Sequence, residues 1–446
     1  MLQLLLLSAA LPAMAEVDLG SYGRIQASTD LAGGEGDAVD VVSHGTRLEK
    51  DPYLELDVVF SQELEGADRT ALFEVVITPA LSGELFHYDG EWDADLALRN
   101  LYAEARGFAK APLSAWAGSR MYRGDDVHLL DFWPLDELNT VGGGILLQPE
   151  GWDFRLQAGL NRLTADEWQV QWAEVPDEAG VGTERILTMD RQRLVSSAQA
   201  ARLLPFGDGN TFRIKAYGEL QALPGATRVE DDWESELELP ADFGSVLGAQ
   251  LSAWGWGHDA FAHLFLRYAT GLSAFGDLTV PSDGMSLDYT VRDAREFQAA
   301  ISGNHENDRM GVLIGGYVRR FMDADGVSTD VDDHWEGAIA LRPTLFISDF
   351  SSLGVEVSQQ VLRPDGLNPH SRTYDVPMVT KLAVLPALQL GRGSLARPQI
   401  RLQYILTYLN DDARLWFDTR DERHRSNVQH FVGVGAEWWL NSRNYR

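Results

Sequence analysis

The sequence predicts an all-β protein, one closed antiparallel β-barrel that crosses a membrane with its strands. Three observations point there. An apolar leader ends in a small-x-small step, polarity alternates residue by residue in many short segments, and the closing segment is aromatic. Alternation with period two marks a strand. A barrel in lipid turns its apolar residues outward and its polar residues to a wet lumen.

The chain opens MLQLLLLSAALPAMA, apolar through Leu7 and small at Ala13 and Ala15. This reads as a signal peptide over residues 1–15, leaving residues 16–446 as one barrel domain. A basic n-region is missing, so the start could lie upstream. After Ala15 no uncharged apolar run approaches the ~20 residues of a membrane helix. An exported chain without such a helix is either soluble or a barrel.

The alternation runs through the chain. Leu54, Leu56 and Val58 oppose Tyr53, Glu55 and Asp57, and Phe212, Ile214, Ala216 and Leu220 oppose Arg213, Lys215, Tyr217 and Glu219. Ile400, Leu402, Tyr404 and Leu406 oppose Gln399, Arg401, Gln403 and Thr407. In the last segment Val432, Val434, Ala436, Trp438 and Leu440 oppose Gly433, Gly435, Glu437 and Trp439. A soluble sandwich shows the same pattern with the apolar side inward, so a secreted all-β carbohydrate-binding protein is the rival of another class. Long stretches such as residues 30–44, 174–183, 223–242 and 323–333 alternate with tight ones such as 207–210. That fits long outer loops and short periplasmic turns.

Composition removes several functions. There is no Cys, which excludes a disulfide scaffold, a Cys-ligated zinc site and a thiol nucleophile. A net charge of −30 argues against nucleic acid, which needs a basic face. The adjacent Asp125 and Asp126 are read as ordinary acids of an acidic chain, not as a glycosidase pair. The Asp-rich loop 323–333 and Asp411-Asp412 lack the spacing of a known Ca²⁺ loop and read as solvated acids. The ten His show no metal-ligand spacing, and no cofactor is expected.

The stretch Trp116 to Trp133, WAGSRMYRGDDVHLLDFW, resembles the maltoporin family, at the segment leading into its inward-folded third loop. Val17-Asp18 with Tyr22 and Arg24, and Arg47-Leu48 with Tyr53 and Glu55, resemble the first two strands. Phe261 to Thr270, Ala396-Arg397-Pro398 and Gly435-Ala436-Glu437-Trp438-Trp439 are similar to later ones.

The resemblance implies about 18 strands and an inward loop over residues 123–141. It implies a homotrimer in the Gram-negative outer membrane and facilitated diffusion of maltose and maltodextrin-type oligosaccharides. A porin for another sugar, or a general diffusion porin, is the alternative. It further implies a periplasmic sugar-binding protein as partner and no catalysis.

Carried over by position, the sugar would stack on Tyr22, Tyr53, Trp92, Trp133, Phe261 and Trp439, flanked by Arg24, Arg47, Glu55, Arg99, Arg123, Asp126 and Asp131. Flat rings suit the C–H face of a sugar, and charged groups suit its hydroxyls. Each contact must stay weak enough to leave. Three positions depart from the family. Leu395 stands where an aromatic is usual, Trp133 replaces Tyr, and Gly124 replaces Arg beside Arg123.

Parity places Tyr22 with Arg24, Tyr53 with Glu55, Trp439 with Glu437, and Phe261 with His263 and Arg267, each opposite the apolar face. Trp438 reads as a lipid-facing girdle residue. Trp116, Trp254, Trp256 and Trp335 read as girdle or loop packing. Charges such as Arg99 could pair across the wall without touching sugar.

Overall fold

The computed structural model describes residues 16–441 apart from Glu35, Ala67, 84–94, 162–168, 177–180, Asp208, 230–234, 277–284, 328–329 and Pro369. The expected leader, Trp92 and the last five residues lie outside the described residues.

Eighteen antiparallel strands close into one barrel, from Glu16–Thr29 to Val428–Leu440. The closing strand pairs with the first, Tyr22 opposite Trp439 and Thr29 opposite Val432. Two small hairpins, Val170–Pro176 with Thr183–Asp190 and Ala226–Val229 with Glu236–Leu239, project from long loops at one rim. The other rim carries mostly tight turns, such as 255–257, 307–309 and 349–350. By the asymmetry of such barrels the long-loop rim is extracellular.

The outer wall decides between lipid and water. Leu56, Leu194, Leu220, Leu247, Leu266, Ile339, Leu382, Leu402 and Val434 are all exposed on it. Their strand neighbours Glu55, Asp57, Ser197, Lys215, Glu219, Gln250, Gln298 and Gln403 are buried inside. A secreted sandwich would reverse this. Charge on the lipid face of such a wall costs about 2–4 kcal/mol at midplane, so the pattern also fixes strand register.

Of the connections that fold into the barrel, two build the constriction. The segment 124–136, between the strands Leu113–Arg123 and Glu137–Leu147, is the expected inward loop, shorter than sequence suggested. Its Val127, Leu129, Leu130, Phe132 and Leu135 are buried among Tyr217, Val246, Phe265, Leu313 and Tyr317. Gly315 makes room: a Cβ there would stand 3.1 Å from Val127 and 3.2 Å from Leu129.

The first inward segment in chain order is the connection 30–52, and it corrects two expectations: residues 30–44 are not a free outer loop, and Arg47-Leu48 sit in a short 3₁₀ turn instead of the second strand, which starts at Tyr53. Its Val39 and Val41 pack with Val379 and Leu409, and its Leu48 with Ala383, Ile405 and Phe431. The Val41 amide donates to Gln360 at 3.1 Å, the Ser43 amide to Glu336 at 2.8 Å and the His44 amide to the Tyr317 hydroxyl at 3.2 Å. Lumen polar groups thus satisfy a backbone that has no strand partner.

Candidate channel constriction

The two inward segments meet each other. The Arg47 amide donates to the Leu129 carbonyl at 3.1 Å, and His44 stacks on Phe132 with centroids 4.1 Å apart. On the far wall Asp125 receives Gln250 at 2.8 Å, is bonded by Arg213 and lies 3.5 Å from Lys215. Asp125 is therefore an anchor for the loop. Lys215, Arg213 and their neighbours outweigh its burial and hold its carboxyl well below the usual range.

A cavity of about 480 Å³ stays open beside the loop. Tyr53 and Trp133 line it with Arg24, Lys50, Arg99, Arg123 and Asp131, and Arg267 and Arg319 face them from the opposite wall. Arg123 lies 3.8 Å from the centroid of the Trp133 ring and 3.5 Å from Glu137. One face of Trp133 is thus held by a cation, an interaction worth about 0.5–2 kcal/mol.

Asp131 takes a left-handed backbone, φ 54°, and receives Arg24 at 3.1 Å, with Lys50 at 3.9 Å. Burial pushes its carboxyl up, but Arg47, Arg24, Lys50 and Arg123 outweigh it and hold it down at about 2. It is an anion at any physiological pH.

Tyr53 bonds Glu55 through its hydroxyl and meets Tyr22 at 6.0 Å, tilted by 49°. Arg99 and Arg24 stand 5.4 and 5.6 Å from the Tyr53 ring centroid. Arg99 reaches inward because of a register shift at Thr78/Pro79, where Thr78 pairs with Asn100 and Pro79 with Leu98. Arg99 is the extra residue of that bulge. Leu98 and Leu101, three apart, then both face lipid. Asn100 anchors the bulge by accepting from the Met121 amide at 2.9 Å and donating to Thr78 at 3.2 Å.

Below Tyr53 the wall is closed by charge. Tyr22 is 1% exposed, covered by Arg47, which donates to its hydroxyl at 3.2 Å. Arg47 sits in a short 3₁₀ turn of the first inward segment and is itself buried. It reaches His128 at 3.0 Å and Glu437 at 2.6 Å. Asp126 lies 3.6 Å from His128. Trp439 continues the wall, with His128 edge-on at 5.9 Å and Arg397 5.1 Å from its centroid. Leu395, from the turn beneath, packs against the core of the inward loop.

Phe261 stands apart near the periplasmic rim. It stacks on His263 at 4.9 Å, and Trp254, its partner across strands, packs edge-on to the same imidazole at 5.4 Å.

Trp254 and Trp116 correct the girdle expectation. Trp254 points inward beneath Arg213, 4.9 Å from its centroid. Trp116 is buried inside with Tyr122, Leu138 and Val195. Parity could have found both, because Trp254 shares a face with Ser252 and Gln250, and Trp116 with Ser114 and Arg120. Trp335 and Trp256 are exposed, and Trp438 packs over Gly23 on the outer wall.

An eighteen-strand wall, an inward constriction loop and a lining of aromatic and charged side chains are now in place. A model of the LamB porin family matches residues 17–439. The chain belongs to the LamB porin family. It is an outer-membrane porin, a channel and not an enzyme. As a LamB porin it is similar to the maltoporin of Vibrio cholerae serotype O1 strain El Tor Inaba N16961. The identity is 31% over 131 residues, 28% of this chain and 30% of that protein. The maltoporin of strain Classical Ogawa 395 gives the same figures, so the match spans about 30% of the length of these relatives. Among solved structures, Pseudomonas aeruginosa OccD3 (OpdP) aligns over 96% of this chain and 92% of its own. It does so at 11% identity and a TM-score of 0.45. A BenF-like porin from Pseudomonas fluorescens Pf-5 aligns over 95% and 98%, at 10% and 0.44. Likeness at that level carries no functional information.

Proposed function

We propose that this LamB porin passes maltose and maltodextrin-type oligosaccharides by facilitated diffusion, as a homotrimer that receives or hands on sugar with a periplasmic binding protein. The observation that carries the reading is that Tyr53 and Trp133 line one cavity together with Arg24, Arg99, Arg123 and Asp131. Rings there offer the apolar face that a pyranose needs, and the charged groups offer partners for its hydroxyls. In this reading Trp439 and Phe261 take the sugar onward, and Trp92 also stacks on it. Tyr22 and Arg47 back the wall behind Tyr53. Glu55 and Asp131 hold Arg99 and Arg24 in place, and Asp126 stands beside His128.

Swelling of proteoliposomes tests the reading. Maltotriose is expected to enter several-fold faster than raffinose, a trisaccharide of the same size. Equal rates would make the channel a general diffusion porin, and exclusion of both would remove the sugar reading.

A further inference from the structure

The outer loop between the strands Met310–Met322 and His334–Ser348 gathers carboxylates in a way that solvated acids do not. Asp323, the first residue after its strand, is only 9% exposed, and its Oδ2 is buried with no hydrogen-bond partner. The Oδ2 of Asp330 is in the same state. One carboxylate oxygen from each of Asp323, Asp330 and Asp333 lies within 4.8 Å of the other two.

The remaining oxygens are used by the loop itself. Asp323 Oδ1 accepts from the Asp325 amide at 3.1 Å, Asp330 Oδ1 from the Asp333 amide at 3.1 Å, and Asp333 Oδ1 from the Asp323 amide at 2.8 Å. These bonds fix the three carboxylates in place. The nearest guanidinium, Arg320, is engaged with Asp365 at 2.6 Å and stands 4.0 Å from Asp333. A buried carboxylate oxygen without a hydrogen-bond partner, such as Asp323 Oδ2, is unfavourable unless it holds a proton or a cation.

We propose that Asp323, Asp330 and Asp333 form a Ca²⁺ site on the extracellular rim. Two oxygens on one Ca²⁺, each at about 2.3–2.6 Å, stand at most about 5 Å apart, and the 4.8 Å span fits. All three donors are hard oxygens, the choice of Ca²⁺ rather than zinc or copper. Three carboxylates leave the other positions to water, and extracellular sites of this kind bind at about 0.1–1 mM. Asp323 also lines a mouth cavity with Val41, Ser43 and Trp416. A bound ion therefore pins the loop beside the first inward segment, at the entrance to the channel.

The test is Ca²⁺ titration by calorimetry on the detergent-solubilised full-length protein after EDTA treatment. One Ca²⁺ per chain is expected. Asp323→Asn and Asp330→Asn should each weaken it tenfold or more, and Asp411→Asn, an exposed acid of another loop, should not. Barrel integrity is checked by heat-modifiable mobility. If a variant fails to fold, hydrogen exchange on the unaltered protein replaces it, with Ca²⁺ expected to slow the amides of 323–333. Unchanged Ca²⁺ uptake in both folded variants, or no slowing in that loop, overturns the proposal.

Discussion

Arg47 donates from Nη2 to Glu437 Oε1 at 2.6 Å and so ties the first inward segment to the closing strand, 390 positions away in sequence. Glu437 also receives Arg397 at 2.9 Å, with Arg401 at 3.8 Å. One carboxylate holds three guanidiniums on the inner wall.

Replacing Glu437 by Gln leaves those three cations around a neutral amide. Loss of one partner of a buried pair costs about 3–5 kcal/mol. The variant should convert to its heat-denatured mobility at a lower temperature than the parent, and Glu437→Asp should recover part of the difference. Equal conversion temperatures for Glu437→Gln and the parent would mean that the cluster does not hold the wall.

The inward loop is held by packing. Leu130 is 1% exposed within the lumen core. Leu130→Ala should cost roughly 2–5 kcal/mol of docking energy. The expected signs are faster hydrogen exchange over 125–135 and a noisier, larger single-channel current.

Loop docking should weaken in acid. Burial and the neighbouring Arg47 push the His128 imidazole down to about 4, so it is neutral at pH 7. Between about 6.5 and 4 the undocked state takes up a proton that the docked state refuses, so docking is lost as pH falls. The full effect is about 3 kcal/mol. Channel noise should rise over that window in the parent and stay flat in His128→Asn.

The bulge aims Arg99. Asn100→Ala removes a buried acceptor from the Met121 amide and should cost about 1–3 kcal/mol. It should also shift ion selectivity, read as a reversal potential in a salt gradient, because the Arg99 guanidinium loses its fixed place beside Tyr53.

Much of this was legible in the sequence. Period-two runs such as Tyr53 to Phe60 and Gln399 to Thr407 gave wall, register and lumen face together, because lipid tolerates only one assignment of the apolar side. The match around Trp116 to Trp133 located the constriction loop. The first inward segment was not legible, because Val39, Val41 and Leu48 are loop residues without period. Their burial depends on partners such as Val379 and Phe431, more than 300 positions away. The inward aim of Arg99 was equally hidden, since it follows from a one-residue bulge set by the neighbouring strand. The burial of Tyr22 beneath Arg47 required both segments in place.

The proposed path takes sugar between Tyr53 and Trp133. Single-channel current in planar bilayers, titrated with maltohexaose, tests it most directly. Stepwise block at micromolar to millimolar sugar is expected, weakened at least tenfold in Tyr53→Ala and in Trp133→Ala, with larger open-channel current in Trp133→Ala. Block of equal strength in the parent and both variants, or open channels that maltohexaose never blocks, would contradict it.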